Sequence, residues 1–206
     1  MSIIAFAGAN IACAAAFDIE WMQQIGTGGY DEILALATDL HGGIVTTGRT
    51  SGSWGAPASP NQDAFISKYD STGGLMWLRQ LSSDGGHLWS YGISTDGAGN
   101  VYFAGHTQGN NFGEHIGDWD AYIGKYDPVG NLLWTRQFGS VNAELTHSVA
   151  ADLTGNVYIV GYTSGDLAGP NTGGRDGFLT KISAAGVLQW SRQIGTTQSV
   201  EATDVT

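Results

Sequence analysis

Apolar, β-branched and aromatic residues fall along this chain in short runs bounded by Gly, Asn and Asp, a pattern that predicts strands rather than helices. One set is clearest: SVAAD at 148–152, VYIVGYT at 157–163, DGFLTKIS at 176–183 and VLQWSRQI at 187–194, here strands a, b, c and d. The same order occurs earlier as YGIST, VYFAGHT, DAYIGKYD and LLWTRQF, and before that as ILALAT, IVTTGRT, DAFISKYD and LMWLRQL. Between a and b lie Asp39-Leu-His-Gly42, Asp96-Gly-Ala-Gly99 and Asp152-Leu-Thr-Gly155. Between c and d lie Asp70-Ser-Thr-Gly73, Asp127-Pro-Val-Gly130 and Ser183-Ala-Ala-Gly186. A leading Asp or Ser accepts backbone hydrogen bonds and the closing Gly supplies a left-handed residue, so both connections read as tight hairpins.

The strand set is a repeat. Trp21, Trp77, Trp134 and Trp190 recur at intervals of 56, 57 and 56 residues, and WLRQL, WTRQF and WSRQI open alike, with WMQQI a weaker copy. A period of this length built from short strands means stacked β-units. The b–c connections (50–62, 107–119, 164–175) and the d–a connections (near 26–32, 82–90, 139–147) are variable. The b–c segments are the long ones, rich in Gly, Asn, Pro and aromatics. In an antiparallel meander both kinds fall at one end of the unit, which makes that end the expected functional face. A four-stranded unit cannot bury both of its faces alone, and radial stacking into a β-propeller solves this.

The motifs GNVYxxGxT (99–107, 155–163), DAFxxKxD (63–70, with DAYIGKYD at 120–127) and the following Gly-x-x-x-Trp-x-Arg-Gln resemble the seven-bladed β-propeller repeat family, SBBP, over about residues 20–206. The resemblance implies an all-β propeller of four-stranded antiparallel blades and little about activity. The expected organisation is a leader or upstream segment at 1–16 and a repeat domain at 17–206. Its repeats run at about 21–76, 77–133, 134–189 and a partial 190–206. Three complete blades are flanked by a strand d at 17–25 and a strand a at 199–205. Such a count suits a fragment of a larger propeller, or a half-propeller completed by oligomerisation.

Composition narrows the partner. The net charge is −11, and six of the eight basic residues occupy two repeat positions, Lys68/Lys125/Lys181 and Arg79/Arg136/Arg192. A nucleic-acid partner is disfavoured, since phosphate binding needs a basic stripe. Cys13 is the sole cysteine, so no intrachain disulfide forms. Residues 1–16 are small and apolar with Ala-x-Ala-like sites, yet no Lys or Arg precedes Arg49, as a secretory signal would want. No stretch is long and apolar enough to span a bilayer as a helix.

Candidate chemistry divides into repeated and unrepeated residues. Periodicity assigns Trp77, Trp134 and Trp190 to inter-blade packing, and the repeated Lys and Arg to pairing with Asp or covering Trp rings. The Asp70-to-Trp77 spacing is also similar to quinoprotein propellers, but spare basic residues for a cofactor clamp are nearly lacking, and no cofactor is expected. His106, Glu114, His115, Asp118 and Asp120 form an unrepeated polar cluster, from which Glu114, His115 and Asp118 are a candidate metal set. Tyr30, Trp54, Trp89, Phe112 and Trp119 fall outside the repeated strand positions among amides and carboxylates, which suits stacking on sugar rings. No Gly-x-Ser-x-Gly, His-Glu-x-x-His or phosphate-loop pattern occurs.

The expectation is therefore a non-enzymatic binding or scaffold segment of a bacterial surface or secreted protein. It would bind polysaccharide or protein through the loop face, with self-association through unfinished propeller edges. The alternative is a hydrolase or lyase with an acidic site at the propeller mouth, marked by three or more convergent carboxylates.

Overall fold

The structure, a computed structural model, describes residues 20–206. Twelve strands occur among them and no helix. Blade 1 is β1 (Asp31–Thr38), β2 (Ile44–Thr50), β3 (Asp63–Tyr69) and β4 (Leu75–Leu81). Blade 2 is β5 (Leu88–Thr95), β6 (Val101–Thr107), β7 (Asp120–Tyr126) and β8 (Leu132–Phe138). Blade 3 is β9 (Glu144–Ala151), β10 (Val157–Thr163), β11 (Asp176–Ile182) and β12 (Leu188–Ile194). Each blade is a four-stranded antiparallel meander in chain order, the architecture of a β-propeller.

Strand a is longer than its apolar run suggests. In each blade it starts two to four residues early and carries a bulge, at Leu34, Tyr91 and His147, where the register on strand b slips by one. The bulge explains the glycine of the Gly-x-Thr motif. At Gly48, Gly105 and Gly161 a β-carbon would stand 1.9–2.0 Å from the carbonyl oxygen of Glu32, Trp89 or Leu145. All six turn glycines, including Gly99 and Gly155, have φ between 77° and 86°.

Two cores hold the blades together, one per joint. Val45, Ala64, Ile66 and Trp77 of blade 1 meet Leu88, Val101, Phe103, Tyr122 and Tyr126 of blade 2. Tyr102, Ala104, Ala121 and Ile123 of blade 2 meet Val149, Val157, Ile159, Phe178 and Ile182 of blade 3. The Trp-x-Arg pair of strand d closes each joint from outside. Trp77 Nε1 donates to Pro128 O (3.0 Å) and Arg79 Nε to Gly130 O (3.0 Å). Trp134 Nε1 donates to Ala184 O (3.1 Å) and Arg136 Nε to Gly186 O (2.8 Å). Each indole lies flat over a turn glycine, where a β-carbon would come within about 2.9 Å of the ring.

The repeated lysines pair with the a–b turns: Lys68 with Asp39 (3.0 Å) and Lys125 with Asp96 (3.6 Å), all four side chains nearly buried. Lys181 lies instead over the Tyr158 ring. Burial alone would raise the Asp39 carboxyl, but hydrogen bonds from Lys68 and from the backbone of His41 and Gly43 hold it low.

Two expectations need correction. Residues 20–25 form no strand, because strand d pairs only with strand c of its own blade and no such partner precedes them among the described residues. Trp21 nevertheless covers Gly73 as the other tryptophans cover theirs. Residues 199–205 also form no ladder. They cross blade 3 on two separate backbone bonds, Val200 N to Arg175 O and Ala202 N to Gly161 O. Residues 17–19 and the segment 1–16 lie outside the described residues.

Candidate functional site

The b–c loops are tied down by two repeated residues. Asp63, Asp120 and Asp176 begin strand c and are buried. Each accepts a hydrogen bond from the Gln of Trp-x-Arg-Gln at 2.8–3.0 Å: Gln80, Gln137 and Gln193. Each Gln also donates to a loop carbonyl (Gly52, Gly109, Gly165) and accepts from a loop amide (Trp54, Phe112, Ala168). These pairs make the loop end rigid. Glu144 adds a d–a anchor in blade 3. It is fully buried, accepts from Ser140 and Thr163, and is raised above its ordinary value by burial.

On this frame the side chains that break the repeat come together. Strand-b position x of Gly-x-Thr is Arg49, His106 or Tyr162 in the three blades, and the strand-a bulge is Leu34, Tyr91 or His147. Arg49 bridges Glu32 and places its guanidinium over the Trp89 ring, 4.8 Å from its centroid. Trp89 lies 5.0 Å from Trp119 and 5.3 Å from His87. His106 stacks on Tyr91 at 4.9 Å and meets the edge of Trp119 at 5.0 Å. In blade 3 His147 meets the edge of Tyr162, over which Arg175 lies while pairing with Glu201. A row of aromatic, imidazole and guanidinium groups thus crosses the blades at the loop end.

His106 is the unusual member. It is 2% exposed, and neither ring nitrogen has a hydrogen-bond partner. Burial pushes the imidazole down to about 3, helped by nearby His147 and Arg49 and opposed by the Thr146 main chain, whose approach falls short of a hydrogen bond, so it is neutral at pH 7. Buried polar atoms of His87, Trp89 and Thr146 are likewise unpaired. Beside this row, β1, β5, β9 and residues 203–206 enclose an axial cleft of about 460 Å³ lined by Tyr91, Ser94, His147, Ser148 and Asp204. Asp204 accepts from Ser148 Oγ.

Of the residues expected at the site, Trp89 and Trp119 join the row, and Tyr30 flanks it through Arg49. Trp54 packs edge-on against Phe65 at 4.5 Å, and Phe112 packs into the first joint against Tyr122. Both rings serve the scaffold. Trp54 and Trp119 are half-buried, as are Trp134 and Trp190, whereas Trp77 is buried. Glu114, His115 and Asp118 do not converge: no group of three metal-ligating side chains exists among the described residues. His106 lies among rings rather than with that loop. Sequence reasoning passed over Tyr91, His147 and the loop-clamping Gln. The first two are legible as odd residues in a repeated strand, and the third as an invariant letter of the tryptophan string.

The family comparison agrees with this architecture. The Beta-propeller repeat family, SBBP, matches residues 77–113 and 133–168, and these two stretches are SBBP repeats. The chain is similar to Regulatory protein FlaEY of Caulobacter vibrioides, with 28% identity over 168 residues, covering 73% of this chain and 18% of FlaEY. It therefore spans under a fifth of that relative's length. Among solved structures it is similar to a protein of unknown function from Bacteroides caccae (TM-score 0.46, 15% identity, 87% of this chain and 52% of the other). It is also similar to a luciferin-regenerating enzyme (TM-score 0.41, 12% identity, 84% and 48%).

Proposed function

We propose that this chain is a non-catalytic binding module that holds a polysaccharide at the loop end of its blades, as part of a bacterial surface or secreted protein. One observation carries the reading: the unrepeated Trp89, Trp119, His87, Tyr91 and His106 gather at one end of an otherwise repeated scaffold, beside the axial cleft. Partly exposed indoles offer apolar faces to sugar rings, and the cleft supplies hydroxyls, imidazole and carboxylate for their hydroxyl groups. Binding is favoured over hydrolase or lyase chemistry because Asp204 is the one carboxylate among the cleft-lining residues. Affinity electrophoresis through gels containing soluble neutral glucans, xylans or mannans tests this. One of them should retard the chain, and Trp119→Ala should abolish the retardation. Unretarded migration in every gel would refute the reading.

A protein ligand is the second reading, supported by the similarity to a regulatory protein. Self-association belongs to the proposal as well. Trp190 and Arg192 on blade 3 repeat the donors of the two joints, while among the described residues Arg192 donates only to neighbouring Ser191 O. A Gly-containing turn of another blade would fit them, and light scattering across a concentration series reports it.

A further inference from the structure

The two joints differ in one respect that defines a second site. In the first joint, blade 2 presents four rings toward blade 1: Phe103, Phe112, Tyr122 and Tyr126. They run in continuous contact, Phe112–Tyr122 at 4.7 Å, Tyr122–Phe103 at 6.1 Å, Phe103–Tyr126 at 5.1 Å and Tyr126–Trp77 at 5.6 Å. In the second joint the matching strand positions hold Ile159, Phe178 and Ile182, while Leu167 and Ala168 stand where Phe112 does. Smaller groups on the same backbone frame leave space unfilled. An apolar groove of about 460 Å³ lies there, between β8 and the β11–β12 hairpin. Its walls include Phe138, Leu167, Ile182 and Leu188, with Thr180 and Ser191 hydroxyls on one side.

The groove also has a charge. Arg136 is the sole charged residue in its lining. Arg136 gives Nε to Gly186 O and Nη1 to Thr135 O, and makes no ion pair among the described residues. A volume in the range of small-molecule pockets, largely apolar walls and one guanidinium without a carboxylate partner together suit a ligand with an apolar body and an anionic group. We propose that this groove binds a small amphipathic molecule, an aromatic ring carrying an anionic group, with the ring where the first joint holds Phe112 and Tyr126 and the anion on Arg136. This site is separate from the loop-end row.

Fluorescence titration with 8-anilinonaphthalene-1-sulfonate, an aromatic anion, tests the assignment. Saturable binding at one site is expected, weaker by about tenfold for the uncharged analogue N-phenyl-1-naphthylamine. The double variant Leu167→Phe/Ile182→Tyr imports the rings of the first joint and should eliminate binding while keeping the β circular dichroism of the parent. If the double variant fails to fold, Leu167→Phe alone narrows the same groove from the loop side and should weaken the dye by about tenfold. Undiminished dye affinity in a folded filled variant would overturn the site. Equal affinity for the neutral analogue would overturn the role of Arg136, and lack of saturable binding would overturn both.

Discussion

Acidification should weaken this fold earlier than its carboxylates dictate, and His106 is the reason. Its folded-state value is about 3 against an ordinary 6.5, so below pH 6.5 the unfolded chain binds a proton that the folded chain refuses. Stability is complete above pH 6.5 and falls as the pH drops toward 3, with a slope approaching about 1.4 kcal/mol per pH unit. At pH 5 the loss attributable to this one side chain is about 2 kcal/mol. Asp39, Asp96 and Asp152 are held low, Asp152 at about 2 by Asn156 and Thr154, so their contributions persist above 3.8 and are lost only at lower pH. Glu144, raised by burial, acts in the opposite sense, since its protonation on acidification favours the folded state. Comparison with His106→Phe cancels every group that the two chains share. Urea denaturation at pH 7.5 and pH 5.0 should show parent and variant separating by about 2 kcal/mol in their pH dependence. The variant should lose no stability at pH 7.5, because it removes two unpaired buried nitrogens while keeping a ring against Tyr91. Equal pH dependence in both chains, or an NMR titration placing the His106 imidazole near 6.5, would refute the reasoning.

Four further outcomes are expected. Trp134→Ala should cost about 3 kcal/mol in chemical denaturation, and Trp190→Ala clearly less, since only the former is bonded to a following turn among the described residues. Gly105→Ala should cost about 3 kcal/mol, because its β-carbon would meet the Trp89 carbonyl oxygen at 1.9 Å. Gly169→Ala, with nothing within 4 Å, should be silent in the same melt. Gln137→Ala should cost about 1–2 kcal/mol and speed amide exchange in residues 109–119, leaving exchange in β5–β8 nearly unchanged.

The repeat made the scaffold readable. Trp, Arg, Lys and the turn Asp and Gly recur because every blade must solve the same packing problem, and period alone assigned them to structure. What period hides is direction. The spacing of Trp77 and Arg79 does not say that they reach forward to Pro128 and Gly130, while Gln80, three residues after Trp77 and so on the other face of the strand, turns back to its own loop. The bulge at Tyr91 was also hidden, because a register slip leaves the apolar run intact and shows only as a glycine on the facing strand. The loop residues were the least legible. Trp54 and Trp119 look alike in sequence, yet one seals a blade end over Phe65 and the other joins the row at Trp89, a difference set by which neighbours each loop meets.

The acceptors in each joint are main-chain carbonyls, those of Pro128 and Gly130 and of Ala184 and Gly186. The joint thus inspects the shape of the incoming turn and the lack of a β-carbon at one position, and is blind to its other side chains: Asp-Pro-Val-Gly and Ser-Ala-Ala-Gly are received equally. The polar seal is therefore a common fitting that any blade with such a turn can offer, while the apolar packing beneath it, rings in the first joint and smaller side chains in the second, keeps each pair of neighbours individual.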